Sequence, residues 1–299
     1  MNDNSACRSR GLSEFQIVLI LVSIGFLVVY ISRLRLVEGR LCRFLPSDNP
    51  LMSLMTLLFS LYLLNLIFRE LEAPWFGEKY SRRDILDLFL LVMLMFPGTG
   101  LAAIILPRVG VPEWIPFAMR GWTYVFLPTV YVLMWKKEEW SSLGFRGRSL
   151  LLSDIIYAFS TAIIGVTAID ALNSLISKAI NAPPEPQSLG IPSRSLFPFV
   201  ILHATDMIQN VAWNGLIQNR IEGYFKWSSR GFWIFFIVIS LLFNFYFEPR
   251  TSLDDFIRYA PSSTLGLLID CYLFHKTKRI ATPALWHWFA NAFGMIPII

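Results

Sequence analysis

Residues 195–219 read SLFPFVILHATDMIQNVAWNGLIQN. A helix of about 20 mostly apolar residues crosses a hydrocarbon core of about 30 Å, and this segment is long enough to do so. Its polar side chains include His203, Asp206, Asn210 and Asn214. At about 100° per residue these four fall within an arc of about 80°. Because polar groups in a membrane helix face the interior of the bundle, the segment predicts a membrane helix with an internal polar stripe.

The composition indicates that this helix is one of several spans. Of the 299 residues, 55% are hydrophobic and 16% are charged, and the mean hydropathy is +0.54. Soluble domains have about 45–50% apolar and about 25% charged residues. The apolar runs predict an all-α, polytopic transmembrane helical bundle of about eight or nine spans. The predicted spans are 15–33, 51–69, 84–107, 113–135, 150–179, 195–219, 231–248, 256–274 and 280–298.

Two details of these spans are expectations in their own right. The third contains Pro97, Gly98 and Gly100, so we expect its helix to be broken there. Lysine and arginine are commoner in the loops on the side of the N-terminus, which predicts a multi-pass protein of the plasma membrane with a cytoplasmic N-terminus. The arginines of segment 33–43 run against that rule, whereas the chain from residue 136 onward follows it.

Charge and cysteine usage exclude several classes of protein. The net charge of +5 is scattered over short loops, which fits contact with anionic membrane lipid and not with nucleic acid. The three cysteines show no metal-ligand or disulfide spacing. The sequence therefore predicts no metal and no cofactor, and its expected partners are membrane lipid and a membrane or envelope protein or peptide.

Further polar residues lie in or beside the later spans. His287 and Asn291 are four residues apart in WHWFANAFG and share one helical face. Asp270 lies within a span, where we expect it to pair with a basic group or a backbone donor. We expect His275, beside Lys276, to be a solvated residue at the cytoplasmic edge.

The polar stripe has two interpretations. Amides commonly hold membrane helices together, at about 0.6–2 kcal/mol per hydrogen bond, and Asn210, Asn214 and Gln218 fit that role. Alternatively the stripe belongs to a functional site. His203 and Asp206 form either a plain buried ion pair, which is the favoured assignment and has a structural role, or a proton-handling pair or half of a metal site.

The chain divides near residue 140 into N-terminal transmembrane helices (1–139) and a C-terminal unit (140–299) that contains most of the intramembrane polar groups. The second unit resembles the CPBP family, the CAAX prenyl endopeptidases and bacteriocin-processing proteins also called the Abi family. That family carries three intramembrane motifs, EExxxR, FxxxH and HxxxN. The corresponding positions here are Gln209, Asn210 and Asn214 for the first motif, Phe243 and Phe247 for the second, and His287 and Asn291 for the third.

The resemblance implies a CPBP-like protease-type core and a glutamate-dependent endopeptidase site. In that chemistry a carboxylate activates water while histidine and asparagine stabilise the oxyanion. Here Gln209 and Asn210 replace the paired glutamates and Asn214 replaces the arginine, so only the third motif is intact. An amide cannot act as a general base. We therefore expect a degenerate site in a non-catalytic binding, scaffold or modulator protein.

Two alternatives stay open. The first is an active endopeptidase with a rearranged site, in which Asp206 serves as the base together with His203 or His287. The second is a small proton-coupled carrier that uses Asp206, Asp270 and Arg120, which would require broken helices in both halves of the chain.

Overall fold

The computed structural model of this chain describes residues 12–32, 34–37, 40–43, 49–71, 80–110, 123–145, 151–181, 187–188, 207–225, 229–247 and 252–293. Helices dominate these ranges, and each helix overlaps one predicted span. Their bounds are α1 Glu14–Ser32, α2 Pro50–Glu70, α3 Arg82–Arg108, α4 Thr123–Trp135, α5 Leu152–Ala179, α6 207–224, α7 Ser229–Leu242, α8 Leu253–Thr277 and α9 Ala281–Ala292.

Within these ranges α1, α2 and α5 are each long and apolar enough to cross a membrane. The predicted helical class is thus confirmed, and the count of eight or nine spans stays a prediction. The break expected at residues 97–100 is wrong, because the backbone of α3 is helical from Arg82 to Arg108. A proline removes one backbone hydrogen bond, and membrane helices tolerate that loss where neighbouring groups compensate.

Helix α5 is the central helix of the bundle. Its most apolar stretch is 78% buried, compared with 17% for α1 and 22% for α2, and it packs against α1, α2, α8 and α9. Small residues permit this close packing. A Cβ added at Gly165, for example, would lie 3.1 Å from the side chain of Ile269 in α8.

Two apolar clusters form the core, and α8 contributes to both. One cluster joins α3, α4, α6 and α7 to Phe274 of α8. The other joins α1, α2, α5 and α9 to Leu273 of α8. Each cluster combines helices from both sides of the predicted boundary at residues 139 and 140.

Polar contacts show that the helix ends lie on two opposite sides of the bundle. On one side lie four groups of ion pairs, which we call the charged rim. They are Lys136 with Asp84 and Asp87, Arg220 with Glu138, Lys278 with Glu222, and Arg279 with Asp154.

The opposite side carries a small antiparallel sheet. Strands β1 (Leu34–Val37) and β2 (Arg40–Arg43) form a hairpin, and β2 pairs with β3 (Gln187–Ser188). On this side the hydroxyl group of Tyr30 also donates to the carbonyl oxygen of Phe293 at 2.8 Å. The predicted spans leave both strand-bearing segments in connections, after the first and the fifth span, and so on the same side, as their pairing requires.

Candidate functional site

A line of buried amides runs along α6. Asn210, Asn214 and Gln218, which we call the amide ladder, are spaced four residues apart, and each is no more than 1% exposed. The side chain of Asn210 donates to Asn214 at 2.8 Å, Asn214 donates to Gln218 at 2.9 Å, and Gln218 donates to Glu222 at 2.7 Å. The ladder therefore leads from the interior of the bundle to the charged rim.

The backbone of α6 keeps this line straight. An α-helix offsets residues four apart by roughly 40°, so three steps would rotate Glu222 by roughly 120° relative to Asn210. Residues Val211–Gln218 instead form a π-helix, and the N–H of Asn219 donates to the carbonyl oxygen of Asn214 five residues earlier. In the wider π-helical turn, residues four apart are offset in the opposite direction. The rotation of Glu222 relative to Asn210 is therefore largely cancelled. Such segments are rare and occur often at functional sites.

Close packing holds α6 in position. A Cβ at Gly215 would lie 2.5 Å from the carbonyl oxygen of Leu143 in the 3₁₀ turn that follows α4. The side chain of Asn219 donates to the carbonyl oxygen of Ser142 at 2.5 Å. The same turn accepts, at Gly144, a hydrogen bond from the N–H of Ile280 at 3.0 Å. One turn thus fixes both the ladder helix and the beginning of α9.

The orientation of each amide follows from acceptors at the ends of the ladder. The NH₂ group of Gln218 meets a carboxylate oxygen of Glu222 and the carbonyl oxygen of Cys271, at 2.7 and 2.8 Å. Neither group can donate, so Gln218 must turn its own oxygen toward Asn214. Asn214 then turns its oxygen toward the NH₂ group of Asn210. Every amide therefore points its NH₂ group toward the rim.

The inner end of the ladder joins a carboxylate and an imidazole. The NH₂ group of Asn210 also donates to Asp270 at 2.9 Å, and its oxygen lies 3.1 Å from Nδ1 of His287. Because that oxygen is an acceptor, Nδ1 of His287 carries the proton and donates. The expectation that Asp270 pairs with a basic group or a backbone donor is wrong, because a side-chain amide of α6 lies against it.

The outer end of the ladder is a buried ionic cluster. Glu222 is fully buried and contacts both Lys278 and Nδ1 of His275, the latter at 2.6 Å. Burial by itself raises the pKa of Glu222, but the contacts with His275 and Lys278 outweigh it and leave the pKa below its ordinary value. The expectation of a solvated His275 is wrong, because the buried carboxylate of Glu222 requires donors and His275 is one of them.

Arg220 occupies a second buried position at the rim. The predicted span ends at residue 219, yet α6 continues to Tyr224, and Arg220 is 1% exposed. Its Nη2 donates to Glu138 at 2.9 Å. The guanidinium group lies 4.4 Å from the ring centroid of Tyr80 and 5.0 Å from that of Tyr131. Stacking on aromatic rings suits arginine and accounts for its burial.

The structure brings together only part of the predicted site. Asn210, Asn214 and His287 form one connected group, and Asn291 is buried one turn after His287. Gln209 is half-buried on the same helix. Phe243 and Phe247 lie in another π-helical segment, Phe243–Phe247, directly after α7. His203, Asp206 and Arg120 lie outside the described residues.

The outer partners of the ladder, Glu222 and Lys278, were not predicted. Glu222 continues the four-residue spacing of Asn210, Asn214 and Gln218, so extending that spacing past the end of the predicted span finds it. The role of Lys278 as a partner of Glu222 has no such signal, because the two belong to different helices and no spacing relates them.

Fold and site together define a helical protein with membrane-type helices and a buried line of side-chain amides that connects an imidazole to an ionic cluster. Within the described residues, no three His, Cys, Asp or Glu side chains are grouped so that they could hold a metal ion. No protein-family model, curated protein or solved structure matches this chain. The resemblance to the CPBP family therefore stays a prediction.

Proposed function

We propose that this chain is a multi-pass integral membrane protein of the plasma membrane with a cytoplasmic N-terminus. In this proposal it has a CPBP-type core whose protease site is degenerate, and it acts by binding a membrane or envelope protein. The observation that carries the proposal is the amide ladder. At the positions where the resemblance calls for ionisable groups, Asn210 and Asn214 hydrogen-bond to each other.

The multi-pass arrangement is supported by the positions of the helix ends, which lie on two opposite sides of the bundle. The charged rim gathers the ends of α4, α6 and α8 with the beginnings of α3 and α5. The sheet side gathers the segments that follow α1 and α5 with the end of α9. Successive helices that run alternately between two polar sides are what a polytopic protein requires.

The non-catalytic role is supported by how the ladder uses its hydrogen-bonding groups. The oxygen of Asn210 accepts from His287, and its NH₂ group donates to Asn214 and Asp270. Amides arranged in this way stabilise helix contacts, and a neutral amide cannot take a proton from water.

The test compares the wild-type protein with His287→Ala in proteoliposomes. We expect neither protein to cleave a fluorogenic prenylated CAAX peptide above the rate in empty liposomes. We also expect both to cross-link to the same membrane proteins in native membranes. Cleavage by the wild-type protein that His287→Ala abolishes, in protein with unchanged helical circular dichroism, would overturn the proposal.

A second candidate function is a rearranged hydrolase, which is favoured by the position of Asp270. Asp270 and His287 both contact the side chain of Asn210, so a carboxylate and an imidazole lie on either side of one amide. In this candidate the general base is Asp270 and not Asp206. Cleavage lost in Asp270→Asn and kept in Asp206→Asn would support it, and the reverse result would favour Asp206.

A further inference from the structure

An apolar groove opens on the surface of the bundle between α3, α6 and α7. Ile85 and Val92 line it from α3, Trp213 and Ile221 from α6, and Phe235 from α7. Its volume is about 170 Å³. An engineered cavity of about 150 Å³ holds one benzene molecule, whereas pockets for drug-sized ligands have about 300–1,000 Å³. The groove therefore fits a short length of hydrocarbon chain and is too small for a compact, drug-sized molecule.

The groove is long and runs along the helices. Ile85 and Val92 are seven residues apart, so it extends about 10 Å along α3, at 1.5 Å per residue. That distance is about a third of a hydrocarbon core of about 30 Å. One end of the groove lies at the charged rim, because Ile85 follows Asp84 directly and Ile221 follows Arg220.

Exposed arginines stand at this end of the groove. Arg82 and Arg83 begin α3, and Arg230 lies in the first turn of α7. Three residues separate Arg82 from Ile85 and five separate Arg230 from Phe235, which places the arginines about 5–8 Å beyond the groove along the helix axes. The headgroup layer of a bilayer is about as thick, since the total of about 40–45 Å exceeds the core by about 10–15 Å over two leaflets.

The described carboxylates of the rim do not neutralise these arginines. The carboxylates of the rim pair with other cations, and Asp84 and Asp87 both contact Lys136. Among the described residues none of the three arginines forms an ion pair with a carboxylate. The end of the groove therefore presents positive charge where a lipid phosphate would lie.

We propose that this groove binds one acyl chain of an anionic glycerophospholipid, whose phosphate group contacts Arg82, Arg83 and Arg230. The occupant comes from the leaflet that adjoins the charged rim. The inference rests on the membrane placement proposed above, since it requires α3, α6 and α7 to lie in a bilayer. It does not depend on whether the polar centre is catalytic.

Trp213 supplies a local probe of occupancy. Bromine atoms on an acyl chain quench tryptophan fluorescence at contact distance, and Trp213 lines the groove. The chain has ten tryptophans, so the Trp213 signal is taken as the difference between the wild-type protein and Trp213→Phe. The protein is reconstituted in phosphatidylcholine vesicles that contain a minor fraction of brominated phosphatidylglycerol.

We expect the Trp213 signal to be quenched more strongly by brominated phosphatidylglycerol than by the same fraction of brominated phosphatidylcholine. Replacing all three arginines by glutamine should raise the concentration for half-quenching about a hundredfold, since each arginine near an anionic surface contributes about 1 kcal/mol and about 1.4 kcal/mol corresponds to a factor of ten. The control Arg69→Gln removes an exposed arginine from the end of α2 and should leave the quenching unchanged.

A second variant keeps the test decisive if the arginine variant does not fold. Val92→Phe fills the groove and should abolish the excess quenching by phosphatidylglycerol. Equal quenching of Trp213 by both lipids, or none at Trp213 while other tryptophans are quenched, would overturn the lipid site and leave the membrane placement standing. Quenching of no tryptophan at all would refute the membrane placement itself.

Discussion

The amide ladder is buried and the charged rim is partly buried, and the two polar regions are built from different groups. The ladder consists of neutral amides, joined at their inner end to one carboxylate and one imidazole. The rim consists of opposite charges in direct contact, such as Glu222 with Lys278 and Asp154 with Arg279. Glu222 belongs to both, because it ends the ladder and begins the rim.

This difference follows the cost of removing each kind of group from water. An amide that keeps a hydrogen bond is tolerated in an apolar interior, whereas a charge must be paired and hydrogen-bonded. The two regions should therefore respond differently to substitution. Loss of one partner of a rim ion pair leaves the other charge unpaired. Loss of a ladder amide leaves only neutral hydrogen-bonding groups without a partner.

The largest effect is expected from Lys278→Met, which leaves the carboxylate of Glu222 buried without its ammonium partner. Removing one partner of a buried ion pair lowers the free energy of unfolding by about 3–5 kcal/mol. Because Glu222 keeps its contact with His275, we expect a loss near the lower end of this range. Lys276→Met, two residues earlier, is the matched control. Reversible unfolding in detergent measures both, and equal stability of the two variants would contradict a special role for the Glu222 cluster.

Asn214→Leu tests the ladder from its middle. It removes the acceptor used by Asn210 and the donor used by Gln218, and unsatisfied buried groups cost about 1–3 kcal/mol each. We expect a loss of about 2–4 kcal/mol in the free energy of unfolding. Asn65→Leu, on the exposed face of α2, should cost nothing. If the two substitutions have the same effect, the ladder contributes no stability.

Gly215→Ala tests whether the position of α6 maintains the ladder. Its Cβ would lie 2.5 Å from the carbonyl oxygen of Leu143, and overpacking of this kind costs about 1–3 kcal/mol. Gly25→Ala in α1 is the control, because an added Cβ there meets nothing within 4 Å. Thermal unfolding of the two variants, compared in the same detergent, gives the difference directly.

The smallest effect is a dependence on pH. The pKa of Glu222 is below its ordinary value of 4.5 in the folded protein, so its contribution to stability is complete above that value. The contribution is lost as the pH falls through the lower, folded-state pKa, because the unfolded chain binds the proton first. We expect Lys278→Met to reduce the slope of stability against pH below 4.5. Parallel acid titrations of the variant and the wild-type protein check this, and identical slopes would show that Lys278 does not lower the pKa.

The positions of the helices along the chain were largely predictable from the sequence, but the depth at which each helix is buried in the bundle was not. Helices α1, α2 and α5 have mean hydropathies of 2.5, 2.1 and 1.8, whereas only α5 is mostly buried. Apolar residues fit lipid and protein interior equally well, so hydropathy does not separate the two. The buried Ser160, Thr161 and Gly165 of α5 are a better indication, because small residues allow helices to approach closely.

The candidate site was predictable along a helix and unpredictable between helices. Asn210 and Asn214 follow from helical spacing, and so does the pair His287 and Asn291. The contacts of Asn210 with Asp270 and His287 depend on how α6, α8 and α9 pack, and no spacing encodes that. The π-helix of Val211–Gln218 also escapes prediction, because the four-residue repeat of polar residues fits an α-helix almost as well.

That π-helix lets the chain carry an additional residue without turning either end of α6. A π turn contains one more residue than an α turn, so deleting one residue from Val211–Gln218 would allow a regular α-helix with the same ends. Eleven residues at about 100° each come within about 20° of three full turns. Asn210 would therefore still face Asp270 and His287 while Glu222 stayed with Lys278. The same chain wound as an uninterrupted α-helix, with no residue removed, would instead turn Asn210 away from both partners.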